Sequence, residues 1–157
     1  MSVERVKSYL EKWNRQANVI ELTVSTATSI LAAEALGVEL GRIAKSITMK
    51  NNNGGLLLVT SGDTRIDNKK FKAALGINPK MLNSDQALEL TGYTVGGICP
   101  FDIPEQVEIY LDKSLQRFSS IFPACGSASS MIELTISQLE EYARSNKWVD
   151  VCNITQV

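Results

Sequence analysis

No histidine occurs among the 157 residues, and that absence removes whole classes of chemistry. Without imidazole there is no Ser/His/Asp or Cys/His nucleophile system, no HExxH metal site and no histidine general base. Any catalysis must run on other groups. Cysteine is scarce as well: Cys99, Cys125 and Cys152 stand far apart with no CxxC pair, and their number is odd. A disulfide framework would leave one thiol over and a zinc shell lacks its ligands, so reduced, mostly buried thiols are the plain expectation. No apolar run approaches the ~20 residues that span a bilayer. Near the start, Val3, Val6, Tyr9, Leu10 and Trp13 recur at helical spacing between Glu4, Lys7, Glu11 and Lys12, which reads as a surface helix and not as a signal peptide. The expectation is a soluble cytoplasmic protein with no membrane partner and no metal or cofactor, in which the sequon Asn153, Ile154, Thr155 carries no glycan.

Charge of one sign is not in excess either, since the formal net is −1. Its distribution is uneven. Residues 42–80 hold eight bases (Arg42, Lys45, Lys50, Arg65, Lys69, Lys70, Lys72, Lys80) against Asp63 and Asp67, a local net of +6, whereas residues 81–157 carry −6. Binding of a polyanion depends on the local field and not on the total. The same lysines also fit one solvated helix face.

A chain of this length fits one domain, and a domain of about 150 residues buries roughly 70% of its unfolded surface. No repeat, low-complexity tract or long linker divides it, so residues 1–157 are expected to form one unit. Val19–Val24 reads as a short strand, and Ser25 and Thr26 as caps of a helix that runs to Leu36 and stops at Gly37. Ile43–Lys50 and Leu56–Thr60 are strands joined by Asn51, Asn52, Asn53, Gly54 and Gly55, the chemistry of a hairpin turn. Asp67 caps a helix carrying Phe71, Ala74 and Leu75 inward and ending at Gly76. Ser84 caps another that ends at Gly92. Val107–Leu111, Ser119–Ala124 and Met131–Leu134 are further strands. Thr135 and Gln138 form a capping box for a helix through Arg144, and Trp148–Ile154 closes the chain as a strand. Such interleaving predicts an α+β fold: a mixed, largely antiparallel sheet or open barrel with helices packed outside.

Three places invite chemistry. Period 2 puts Lys45 on the apolar strand face with Ile43, Ile47 and Met49. A lysine there is paired, reaches a cleft, loses its proton, or snorkels at a sheet edge. The run Gly92, Tyr93, Thr94, Val95, Gly96, Gly97, Ile98, Cys99, Pro100 leaves backbone amides uncovered for a ligand oxygen, though it matches no nucleotide fingerprint and also suits a plain turn. The small residues Cys125, Gly126, Ser127, Ala128, Ser129 and Ser130 suit a pocket wall or an ordinary loop. Asp112 is the carboxylate nearest these loops in the predicted layout, or else a turn cap.

In order, Ala32, Ala33, Leu36, Gly37, then Ile43, Ala44, Lys45, Ser46, then Gly62, Ile66, Asp67, Lys69, Lys70, then Gly92, Tyr93, Val95, Gly96, Gly97, Pro100, then Asp112 and Gly126 form a pattern that resembles the YbaK/ProX family. These are single-domain aminoacyl-tRNA deacylases, similar to the editing domain inserted in bacterial prolyl-tRNA synthetases. The resemblance spans roughly residues 20–150, and its most specific parts are GYTVGGICP and the lysine of RIAKS. It implies a fold of the editing-domain type and hydrolysis of the ester of a mischarged tRNA, of the Cys- or Ala-tRNA(Pro) kind. Lys45 would match the active-site lysine. Gly96–Pro100 would match the GxxxP loop, with Gly96 and Gly97 at the reacting ester and Ile98, Cys99 and Pro100 holding substrate. Gly126 and Ser127 would lie on a second wall and Asp112 near the floor or edge. Cys99 stands where serine or another small residue is common, and Cys125 precedes Gly126; both bear on amino acid preference.

The physical logic agrees: placement of water and backbone donors at a developing oxyanion need no imidazole. Lys69, Lys70 and Lys72 would meet acceptor-stem phosphates. The partners implied are a mischarged tRNA end and an aminoacyl-tRNA synthetase, with the chain a monomer or weak homodimer. The alternative readings are a non-catalytic module that binds an aminoacyl-tRNA end or free amino acid, and a hydrolase of small esters.

Overall fold

The run Leu56–Ser61 is buried at every residue, which a strand tolerates only when both faces of its sheet are covered. The rest of the chain supplies those covers. The computed structural model describes residues 2–155. Helix α1 (Ser2–Leu10) continues as a short 3-10 turn, Glu11–Trp13, closed by Asn14 in the left-handed conformation. The order then is β1 (Ile20–Glu21), α2 (Ser29–Leu36), β2 (Ile43–Met49), β3 (Leu56–Ser61), β4 (Thr64–Ile66), α3 (Asn68–Leu75), α4 (Ser84–Thr91), β5 (Glu108–Asp112), β6 (Ser120–Pro123), β7 (Ser130–Met131), β8 (Leu134–Thr135), α5 (Ile136–Ala143), β9 (Lys147–Val149) and β10 (Cys152–Ile154).

Six strands form a curled sheet in the order β8, β6, β2, β3, β5, β9, and the pairs β1 with β7 and β4 with β10 make two small ribbons. Four of the seven pairings are antiparallel, among them the expected β2–β3 hairpin, where Lys45 faces Thr60 and Ser46 faces Val59. The mixed α+β architecture expected from the sequence is the one found.

Alternation along β3 divides the interior. Leu57 and Val59 join a core with Val6, Tyr9 and Leu10 of α1, Tyr93, Phe101, and Leu139 and Tyr142 of α5. Leu56 and Leu58 face the other way, toward Phe71 of α3, Val151 and Cys152. Helix α2 covers a third cluster, in which Ala32 and Ala33 meet Ile43, Phe122 and Met131.

Local rules explain most helix ends and misplace some. Asp67 caps α3 and Gly76 closes it with φ 76°; Thr135 and Gln138 form the capping box of α5. Helix α2 starts later than expected: its cap is Thr28, which accepts from the Leu31 amide, and not Ser25 or Thr26. Asn83, in a reciprocal box with Gln86, caps α4 in place of Ser84. Ala74 is exposed, so Phe71 and Leu75 carry the inward face of α3 without it. The predicted last strand is two strands in different sheets. Between them the Val151 amide donates to Asp112 Oδ1 (2.9 Å) and its carbonyl accepts from the Asp67 amide (2.8 Å), which carries the chain from β5 across to β4.

Candidate functional site

A cavity of about 210 Å³ opens beside β2, lined by Ile43 to Thr48 of that strand, Thr26 to Ser29 before and at the start of α2, Met81 and Leu82, Val95, Gly96 and Ile98, and Ala124 and Met131. That is below the roughly 300–1,000 Å³ typical of pockets that enclose drug-sized ligands, so it suits a small group. Apolar side chains mark its mouth, since Val95 and Met81 are 63% and 64% exposed.

Among the described residues, Lys45 is the only ionisable side chain in this lining. It is half-buried, and its ammonium donates to the Thr64 carbonyl (3.0 Å). Desolvation draws its pKa below that of an ordinary lysine; the fields of Cys152 and Asp63 oppose this shift and that of Arg65 adds to it. Lys45 thus borders the cavity, while its ammonium is paired with the Thr64 carbonyl, which lies outside the lining.

The glycine loop divides between cavity and core. Gly96 and Ile98 line the cavity, whereas Gly97, Cys99 and Pro100 are buried away from it. The Gly97 amide donates to Thr94 O (3.0 Å), closing the turn, so it is not a free donor. Among the described residues the Gly96 and Ile98 amides donate to no other protein group. Gly96 needs its glycine for φ 98°, beside Ala27 and Ala128. A Cβ on Gly97 would lie 2.8 Å from both Cα and N of Ser127, so the two loops touch backbone to backbone.

Several expected site residues therefore stand behind the cavity wall. Gly126, with φ 92°, is buried against Ser2 and Val6. The Ser127 hydroxyl bonds that of Ser130 (2.8 Å). Cys99 does not reach the cavity: it is fully buried with Tyr93 and Phe101, and burial pushes its thiol up to about 12. Burial also raises the Cys125 thiol and takes that of Cys152 to about 12, leaving all three as neutral thiols at neutral pH. Asp112 is at neither the floor nor the edge, lying outside the lining; its two oxygens accept from the Val151 and Ser114 amides and tie β5 to the C-terminal segment. Lys69, Lys70 and Lys72 lie on α3, outside the lining. Lys70 is occupied by Asp150 (3.3 Å) and the Cys152 carbonyl (3.1 Å), while Lys69 and Lys72 are exposed. Among the described residues no group of three or more Cys, Asp or Glu side chains is placed to hold a metal.

The wall that sequence reasoning missed is Thr26 to Ser29. It is set by long-range pairing: the Leu22 and Thr26 amides donate to Ser129 O (2.8 Å) and Ala128 O (2.5 Å). Two hydroxyls in this lining, Thr26 Oγ1 and Ser46 Oγ, are buried with no hydrogen-bond partner among the described residues. Such unmet atoms are unusual, though Gln16 Oε1, Thr60 Oγ1 and Ser61 Oγ outside the lining share the condition.

The strand edge itself is also open. Pairing of β2 with β6 ends at Ala44 opposite Pro123. Farther along the same edge, Thr48 O accepts from Leu82 N (3.0 Å) and Lys50 N donates to Lys80 O (2.7 Å). Between these two covered stretches the edge borders the cavity.

A curled mixed sheet thus carries a small cavity with one lysine and a bent glycine loop at its edge. The chain matches the aminoacyl-tRNA editing domain over residues 23–142 and belongs to that family. It is 45% identical to the uncharacterized Bacillus subtilis protein YwhH over 97% of this chain and 98% of that one. It is 37% identical to a candidate Cys-tRNA(Pro)/Cys-tRNA(Cys) deacylase of Enterococcus faecalis over 65% and 63% of the two chains. A proline–tRNA ligase of Thermosipho melanesiensis is 28% identical over 76% of this chain but only 21% of the ligase. The crystal structure of a candidate trans-editing enzyme for prolyl-tRNA synthetase superposes with a TM-score of 0.86 at 29% identity, covering 97% of each chain.

Proposed function

We propose that this chain is a freestanding editing domain that hydrolyses the ester of a tRNA mischarged with a small amino acid, of the Cys- or Ala-tRNA(Pro) kind. The observation that carries the reading is the meeting of Lys45, the Gly96–Ile98 backbone and the segment before α2 on one small cavity. Family membership and the deacylase name of the Enterococcus faecalis relative support it. Water adds to the ester carbonyl carbon, the bond to the ribose oxygen breaks, and a proton passes to that oxygen, giving free amino acid and an uncharged tRNA end. The Lys45 ammonium meets the phosphate of the terminal nucleotide. The free Gly96 and Ile98 amides orient the attacking water or the ribose hydroxyl, a placement that can account for much of the rate. Lys69 and Lys72 add salt-sensitive attraction for the acceptor stem.

Single-turnover deacylation of tRNAs carrying Ala, Cys, Ser and Pro tests this. Faster loss of at least one of the Ala, Cys and Ser esters than in buffer is expected. A flat result across the panel with folded protein refutes it.

A further inference from the structure

In an antiparallel ladder every second residue turns its N–H and C=O to the same edge. Thr48 O and Lys50 N face the 80–82 segment, and Ile43 O accepts from Gly62 on the β3 side. Ser46 therefore turns both of its main-chain groups to the cavity edge. Neither has a protein partner there among the described residues, because the ladder with β6 stops at Ala44 and the contact with Leu82 begins at Thr48. The Thr48 amide, on the same edge, is open as well. The opening spans only the Ser46 N–H and C=O and the Thr48 N–H, between Ala124 and Leu82 of the lining. A peptide strand that augments a sheet needs several residues of free edge, so this opening rejects a peptide and admits a single residue.

We infer that the substrate's aminoacyl group docks on β2 as a strand of one residue: its α-ammonium donates to the Ser46 carbonyl, and its ester carbonyl accepts from the Ser46 amide. An aminoacyl ester carries one amine and one carbonyl, the set that a hydrogen-bonded antiparallel pair exchanges. Of the buried side-chain oxygens without a partner among the described residues, Thr26 Oγ1 and Ser46 Oγ belong to the cavity lining, while those of Gln16, Thr60 and Ser61 lie outside it. The Ser46 amide would thus become a donor to the oxyanion as the ester carbonyl is attacked. This inference rests on the deacylase reading and names the main-chain atoms that grip the acyl group.

Amide exchange in the full chain tests it. The probes are the trinucleotide CCA ending in a stable 3′-alanylamino-3′-deoxyadenosine and its propionyl twin, which lacks the amine. In the free protein the Ser46 and Thr48 amides should exchange much faster than the Ile47 amide, which faces β3. The alanyl probe should slow Ser46 exchange about tenfold or more, and the propionyl probe should bind about 10- to 100-fold more weakly, the loss expected for one hydrogen bond from a charged group. If the alanyl probe shifts the Gly96 and Ala27 amides yet leaves Ser46 exchange unchanged, or if the propionyl probe binds equally well, the inference is overturned and the deacylase reading stands. If no cavity amide responds, the inference is also overturned, and the tRNA panel on the same protein decides whether the deacylase reading falls with it.

Discussion

Gly97→Ala separates the backbone account of this site from a side-chain account, because Gly97 has no side chain to contribute and does not line the cavity. The added Cβ would sit 2.8 Å from both Cα and N of Ser127 and 2.9 Å from the carbonyl carbon of Gly126. All three are backbone atoms, so no rotamer relieves the contact. Carbon atoms prefer separations of about 3.5–4.0 Å, which means that the two loops must part by about 0.7 Å or more. Overpacking of this kind costs about 1–3 kcal/mol. For a domain near 150 residues each 1 kcal/mol lowers Tm by roughly 2–4 °C, so calorimetry should find a drop of about 2–12 °C. The same displacement carries Gly96 and Ile98 with it, since the Gly97 turn to Thr94 joins them. Misplacement by 1 Å can cost about 100-fold in rate; a loss of about 10- to 100-fold in single-turnover deacylation is expected at a temperature where the variant is fully folded. Val95→Ala, at the exposed mouth of the same loop, should change Tm by less than about 2 °C. If Gly97→Ala keeps both wild-type Tm and wild-type rate, the loop contact is not what sets the cavity wall.

Lys45→Met keeps the length of the side chain and removes the half-buried charge. Because burial lowers the Lys45 pKa, the folded protein carries a desolvation penalty at neutral pH that is relieved as pH rises through the folded value toward the unfolded one. Lys45→Met should therefore melt no lower than wild type while deacylation falls by about tenfold or more; a marked loss of Tm in thermal denaturation would contradict the penalty. For the wild type the same shift predicts an alkaline fall in deacylation that begins below the ~10.4 of an unperturbed lysine, and a pH-rate profile with a flat alkaline limb through pH 11 would count against an ammonium role. Thr26→Val deletes one orphaned hydroxyl at nearly constant shape. Tm should hold or rise by a few degrees, since the unmet group costs about 1–3 kcal/mol in the empty site, while the alanyl probe should bind more weakly; tighter binding would show that Thr26 does not serve the ligand.

How far the sequence foretold this site depends on the range of the forces that build each part. Lys45 was legible because period 2 needs only the strand, and the strand needs only its hairpin partner. Gly37, Gly76 and Gly92 were legible as helix stops for the same reason: each left-handed closure is decided within one turn. Thr26 was not. A hydroxyl before an apolar helix obeys the same local rule whether it caps or precedes the cap, and what sets Thr26 in the wall is its amide bond to Ala128, more than a hundred residues away in sequence. The split of Trp148–Ile154 has the same origin in the bond between Val151 and Asp112. Cys99 is a different case. Its burial is set by packing with Tyr93 and Phe101 beyond the Thr94–Gly97 turn, and the glycines that announce the turn do not say which of the residues after it point inward.

These facts bear on why a protein without histidine is suited to this chemistry. Acyl transfer at a neutral site usually draws on an imidazole because a proton must move near pH 7. Here the lining offers one titratable side chain, Lys45, and surrounds the remaining surface with amides, hydroxyls and methyl groups. An aminoacyl ester already carries an activated carbonyl beside its own ammonium group, so the demand on the protein shifts from proton transfer to placement. Placement is what a strand edge and a glycine loop do well, because main-chain donors are fixed by the sheet and need no reorganisation when charge develops. The same economy restricts the substrate. If main-chain atoms grip the acyl group as proposed, a cavity of about 210 Å³ selects by size and by the presence of an α-amine before side-chain chemistry, so rejection of larger amino acids should be steric, and relief of that limit should follow enlargement at Met131 or Leu82 without any change in the groups that act on the ester.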